Sequence, residues 1–91
     1  MRFEWNEAKR RSNFRRHGID FVDVEEVFDG EILTLLDDRF ACGEIRFFTL
    51  GLLNGRVVVV SHTETDEVVR IISARKARKD EEITYFEEFK N

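Results

Sequence analysis

Residues 2–5 (RFEW) alternate polar and apolar side chains, the period of a short strand. Asn6 follows, a residue type whose side chain caps helix N-termini, and a helix is predicted from there to about His17. Gly18 stands where such a helix ends. Asp20 can cap a second, short helix, with Ile19 and Val24 as its hydrophobic staple. Phe21, Val24, Val27 and Phe28 recur at helical spacing and form that helix's apolar stripe. Gly30 interrupts the pattern. Strands are predicted over 31–37, 44–53, 56–63 and 67–73, with a loop over 38–43. Asn54-Gly55 between two apolar runs is a strong hairpin signal. A second tight turn is expected near Thr65-Asp66. From about Ala74 to Lys90 the chain reads as a helix, with Ala77, Phe86 and Phe89 able to face inward. The order is β-α-α-β-β-β-β-α. Short turns between consecutive strands predict an antiparallel meander with two N-terminal helices and one C-terminal helix, an α+β fold.

The chain has 91 residues and neither proline nor a Ser/Gly-rich linker, so one domain over 1–91 is expected. Nine Phe and one Trp are many for this length, and aromatics bury much area each. Phe14, Phe21, Phe28, Phe47 and Phe86 are the expected aromatic core. Cys42 is the one cysteine, which excludes an intrachain disulfide and fits a reducing compartment. No apolar run reaches the roughly 20 residues of a membrane span, and the N-terminus shows no signal-peptide pattern. A cytoplasmic protein is expected.

Charge changes this picture. The net charge of −4 taken alone argues against a nucleic-acid partner. Its distribution does not. Residues 1–17 carry a net +4 and residues 70–79 a net +5, whereas residues 18–44 carry −8. A fold can bring the two basic blocks together. The plainer alternative is solvated helix charge.

The hairpin also predicts a register. A two-residue turn at Asn54-Gly55 pairs Leu53 with Arg56, Phe48 with Ser61 and Arg46 with Thr63. A tight second turn pairs Glu64 with Glu67 and sets Ser61 opposite Arg70. One sheet face then carries Glu44, Arg46, Ser61, Thr63 and Arg70 at one end, with Leu50, Leu52, Val57, Val59 and Ile72 at the other. The opposite face carries Ile45, Phe47, Val58, Val60, His62, Val69 and Ile71, so His62 is expected in the core. The polar end is either a site or an ordinary solvated sheet end. On the first helix Lys9, Asn13 and His17 share one face. The segment Arg70–Lys79 is expected to begin a helix near Ser73, with Arg75, Lys76, Arg78 and Lys79 in its first turns. Cations oppose the helix dipole there unless an anion is bound.

Lys9-x3-Asn13-x3-His17-Gly18-Ile19-x-Phe21, Gly43-Glu44-x-Arg46, Arg70-Ile71-Ile72-Ser73-Ala74-Arg75-x-Ala77 and Glu81-x3-Tyr85 together resemble the BrnT toxin family, from Phe3 to about Tyr85. The resemblance implies a RelE-like fold and the toxin role in a type II toxin–antitoxin module. It also implies RNA as substrate and a BrnA-like antitoxin with a ribbon-helix-helix DNA-binding domain. Operator DNA would be met only through that antitoxin. Lys9, His17, Glu44, Arg46, Arg70, Arg75 and Tyr85 occupy matching positions. Their chemistry suits attack of a 2′-OH on the adjacent phosphate, with arginines stabilising the added charge. Arg46, Arg70, Arg75 and Lys76 are the expected phosphate binders. His17 or Glu44 is the expected base, and Lys9 or Tyr85 the assisting acid. No zinc spacing or Gly-rich phosphate loop occurs, so neither metal nor cofactor is expected. Two other readings remain: a corepressor that acts only through its antitoxin, and a small structural domain.

Overall fold

The computed structural model describes residues 1–39 and 43–90. Phe40, Ala41 and Cys42, in the loop expected over 38–43, lie outside the described residues. Along the chain come β1 (Arg2–Glu4), α1 (Glu7–His17), a 3-10 turn (Phe21–Asp23), α2 (Val24–Phe28), β2 (Leu33–Asp37), β3 (Arg46–Leu53), β4 (Arg56–Glu64), β5 (Val68–Lys76) and α3 (Lys79–Glu88). Local chemistry explains several boundaries. The Asn6 side chain accepts from the Lys9 N–H at 3.1 Å, and Gly18 closes α1 in the left-handed conformation. The Asp20 carboxylate accepts from the Val22 N–H and caps the 3-10 turn. Asn54 and Gly55 both adopt positive φ, as a two-residue hairpin turn requires.

The five strands form one sheet in the order β1-β5-β4-β3-β2. The sheet is mixed, which corrects the expected antiparallel meander. β2 to β5 are antiparallel neighbours, but β1 lies parallel to β5, with Phe3 beside Val69. Turn signals govern only strands joined by turns. Two helices separate β1 from β2, so β1 is free to take the open edge of β5 instead.

Two apolar layers flank the sheet. Ile19, Phe21, Val24 and Val27 pack on Val58, Val60, Val69, Ile71 and Ala74, with Phe3, Trp5 and Phe28 at the margin. On the other face Tyr85 of α3 packs with Leu50, Val57 and Val59. Phe14 and Phe86, expected in the core, are about half exposed, at 54% and 50%, and Ile45 is also exposed. Helical spacing marks a stripe but not which stripe meets the sheet. Phe89 and Ala77 do pack inward.

Gly51 lies where α2 crosses β3. A Cβ there would stand 2.6 Å from Val27 Cγ1 and 3.2 Å from Ile32 Cγ2. Val27 is buried and has little room to yield. Gly51→Ala is therefore expected to destabilise the fold by about 1–3 kcal/mol. Thermal unfolding followed by circular dichroism should show Tm lowered by roughly 10 °C. An unchanged Tm would contradict the close approach.

Candidate functional site

β5 is the element that builds the site, and two tertiary contacts shape it. The turn before β5 is longer than expected, because the Thr65 N–H bonds to the Val68 carbonyl and Glu64 pairs with Val69. Arg70 therefore lies opposite Thr63, not Ser61. The register then shifts once more at Ser61/His62, so that Ser61 pairs with Ser73 and Val60 with Ala74. This bulge inserts one residue and reverses the alternation beyond it. Ala74 turns into the core, and Ser73 and Arg75 join Ser61 on the face that carries α3. The strand also runs on to Lys76, so the helix expected from Ala74 begins at Lys79. Residues 74–79 are good helix formers, but partners on both sides hold 74–76 extended. Val59 and Val58 pair with Arg75 and Lys76 on one side. On the other, buried Asn13 receives the Ala74 N–H at 3.1 Å and donates to the Ala74 carbonyl at 2.9 Å.

α3 covers only part of its sheet face. The uncovered part is a cleft of about 620 Å³ whose lining includes Asp37, Arg39, Arg46, Ser61, Ser73, Arg75, Arg78 and Glu81. A shallower hollow of about 450 Å³ opens beside it, lined by Arg16, His17, Arg75, Lys76 and Arg78. Arg75 and Arg78 border both. The basic blocks at 1–17 and 70–79 thus meet, because Asn13 ties α1 to β5 just before their charged ends.

The cleft's carboxylates are engaged. Glu81 receives both Arg75 Nη groups, at 2.8 and 2.9 Å, and the Arg78 backbone N–H at 2.7 Å. Hydrogen bonding from Arg75 holds the Glu81 carboxyl below its usual range, against a smaller opposing effect of burial. Buried Asp37 is gripped by Arg39 through Nε and Nη2, each at 2.8 Å. Arg39 lowers its pKa first, and the charge of Arg46 adds to the effect. Carboxylates held ionised in this way are weak bases and serve better to aim guanidinium groups. Among the described residues no group of three His, Cys, Asp or Glu side chains could hold a metal ion.

The other expected site residues lie apart. Arg70 bonds Glu4 at 3.1 Å across the β1 edge. Lys9 and Glu44 are exposed and line neither hollow. Tyr85 is buried against Leu50 and Val59, and its hydroxyl donates to the Glu31 carbonyl at 2.8 Å. Burial raises its pKa. Sequence reading missed Arg16, Asp37 and Arg39, and it gave Arg78 and Glu81 no role in the site although both stood in segments it singled out. The one local signal was a glutamate at the third position of α3, where its side chain can reach back to the N-cap N–H.

His62 lies on the core face as expected. Its Nε2 is 2.7 Å from the Thr49 hydroxyl, and its ring packs against Phe28 and Phe47. Burial lowers its pKa from 6.5 to about 4. Glu64 lies 3.6 Å from Nδ1, but that carboxylate is partly solvated while the imidazole has no exposure, so desolvation wins. The unfolded chain thus binds a proton below about pH 6.5 that the folded chain refuses until about pH 4. Stability should fall by about 3 kcal/mol as pH drops from 7 to 4. Urea unfolding across that range checks this, and His62→Gln should flatten the dependence.

The family model described as the ribonuclease toxin BrnT of type II toxin–antitoxin systems matches residues 5–81. The chain belongs to the BrnT family. A comparison with curated proteins gives no match. BrnT membership covers α1, the cleft and the hollow, and reaches the start of α3 at Glu81. It makes the chain a relative of ribonuclease toxins. Among the described residues no helix is long and apolar enough to cross a membrane.

Proposed function

We propose that this BrnT-family chain is a one-domain, metal-independent endoribonuclease toxin. It blocks translation by cleaving RNA and is neutralised by a BrnA-like ribbon-helix-helix antitoxin. The observation that supports the chemistry is the ridge of Arg75 and Arg78 between the two hollows. A phosphodiester on that ridge would have Arg46, Ser61 and Ser73 on one side and His17 on the other. His17 takes the proton of the 2′-OH, and that oxygen attacks phosphorus. The bond to the 5′ oxygen breaks, leaving a 2′,3′-cyclic phosphate, and the leaving oxygen takes up a proton. Arg75, aimed by Glu81, and Arg46 stabilise the charge that builds on the phosphoryl oxygens. Arg70, Lys9, Glu44 and Tyr85 are not part of this reading. Exposed Ile83 and Phe86, neighbours on α3, offer an antitoxin apolar surface.

Incubating the purified chain with RNA in EDTA tests the reading. The expected products end in cyclic phosphate, and expression without antitoxin should arrest growth. Intact RNA with folded chain would remove the nuclease. It would favour the corepressor reading.

A further inference from the structure

We propose that the hollow at the end of α1 is a second phosphate subsite, which holds the single-stranded RNA backbone next to the bond being cut. The inference rests on the ribonuclease reading and adds Arg16 and Lys76 as a binding pair. The two depressions differ in charge. The cleft lining sets Arg39, Arg46, Arg75 and Arg78 against Asp37, Asp38 and Glu81. The lining of the hollow has Arg16, Arg75, Lys76 and Arg78 beside His17 and no carboxylate. Arg75 pairs with Glu81, and Arg78 with Asp80 and Glu81, which leaves Arg16 and Lys76 as its unbalanced charges. Among the described residues neither Arg16 nor Lys76 forms an ion pair, although the chain as a whole is acidic.

This grouping follows from how α1 meets β5. Asn13 is fixed to Ala74. Four residues of helix advance about 6 Å, and two residues of strand about 6.6 Å. His17, with Arg16 beside it, therefore stays abreast of Lys76. The dipole of α1 favours Arg16 and His17, which lie in its last turn, but it does not account for Lys76, Arg75 and Arg78 gathered beside them, so backbone dipoles explain only part of the cluster. A polyanion that crosses the ridge does explain it, since it neutralises charges on both sides. Because Arg75 and Arg78 border both hollows, the two depressions are successive stations for one strand. Each contact of this kind gives affinity without base preference and makes it salt-dependent.

The test uses the full chain and a fluorescent, fully 2′-O-methylated oligonucleotide, which has no 2′-OH and cannot be cleaved. Anisotropy titrations over a range of NaCl concentrations compare wild type with the double variant Arg16→Ala, Lys76→Ala. A charge-matched control, Arg2→Ala, Lys90→Ala, alters the β1 edge and the residue beyond α3. The hollow variant should bind about tenfold more weakly in dilute salt. Its slope of log affinity against log salt should be shallower by about 0.7 for each phosphate that the variant no longer neutralises. The control should match wild type. Thermal melts of the hollow variant should show Tm within a few degrees of wild type, because relieved like-charge repulsion offsets the loss of Arg16 from the carbonyl end of α1. A structural role would lower it further. Equal affinity and slope in the hollow variant and the control would overturn the subsite. If wild type binds the methylated strand in the expected manner but leaves unmodified RNA intact, the nuclease reading falls and with it the placing beside a cut bond, while phosphate binding by Arg16 and Lys76 stands. If it cleaves RNA while the hollow variant binds as wild type does, the subsite alone falls. If it neither binds nor cleaves, both are overturned.

Discussion

Arg75→Ala is expected to lower kcat/KM for RNA cleavage by about 10²–10³, the usual loss when one preorganised donor to a developing oxyanion is removed. Arg75 combines three properties in one side chain. The β5 bulge turns it onto the site face, Glu81 fixes its guanidinium through two bonds, and it borders both hollows. Arg75→Lys should recover little of the loss. A lysine keeps the charge but not the planar fork that engages a carboxylate on one edge and a phosphate on another. Glu81 retains the Arg78 N–H when Arg75 is gone, so α3 should stay capped and the variant folded. A folded Arg75→Ala protein that cleaves RNA at the wild-type rate would exclude this residue from the chemistry. Arg70→Ala provides a contrast. Its ion pair with Glu4 is half exposed, so only a small change in stability is expected.

Asn13→Ala should have the largest effect on stability, a loss of about 3–5 kcal/mol read from urea unfolding. The side chain donates to the Ile19 and Ala74 carbonyls and accepts the Ala74 N–H. Its removal leaves three main-chain groups without a partner in a buried place, and each such group costs about 1–3 kcal/mol. Water entering the gap would recover part of this. Asn13→Asp should also fail, because a carboxylate cannot donate to the two carbonyls. Small domains have only about 5–15 kcal/mol in total, so either variant should lie near the threshold of folding. What survives folded should also cleave RNA poorly, since Asn13 sets His17 beside β5. Wild-type stability in Asn13→Ala would mean that α1 is held by other contacts.

Much of the fold was legible because its causes are local. Asn6 bounds α1 through its side chain, which accepts from the Lys9 N–H, and Gly18 through its own N–H to the Phe14 carbonyl, partners only three to four residues away. Asn54-Gly55 forced a two-residue turn and set the β3–β4 register, in which Phe48 meets Ser61. The hairpin register and the alternation of side chains along β4, which set His62 on one face with Val58 and Val60, identified it as a core residue. The site was less legible. Arg46 and Arg75 do line one cleft and His17 and Lys76 the adjoining hollow, but Arg70, Glu44, Lys9 and Tyr85 lie elsewhere.

The amino-acid sequence by itself determined the two caps of α1, the β3–β4 hairpin, most of the core face of the sheet and the two basic blocks, because each depends on neighbours in the chain. Only the tertiary structure decided that β1 runs parallel to β5, that 74–76 stay extended, and that a bulge rotates Arg75 into the cleft. Those outcomes depend on partners distant in the chain, 61 positions for Asn13 with Ala74 and about a dozen for the β4–β5 pairs around the bulge, and no local propensity encodes such a partner.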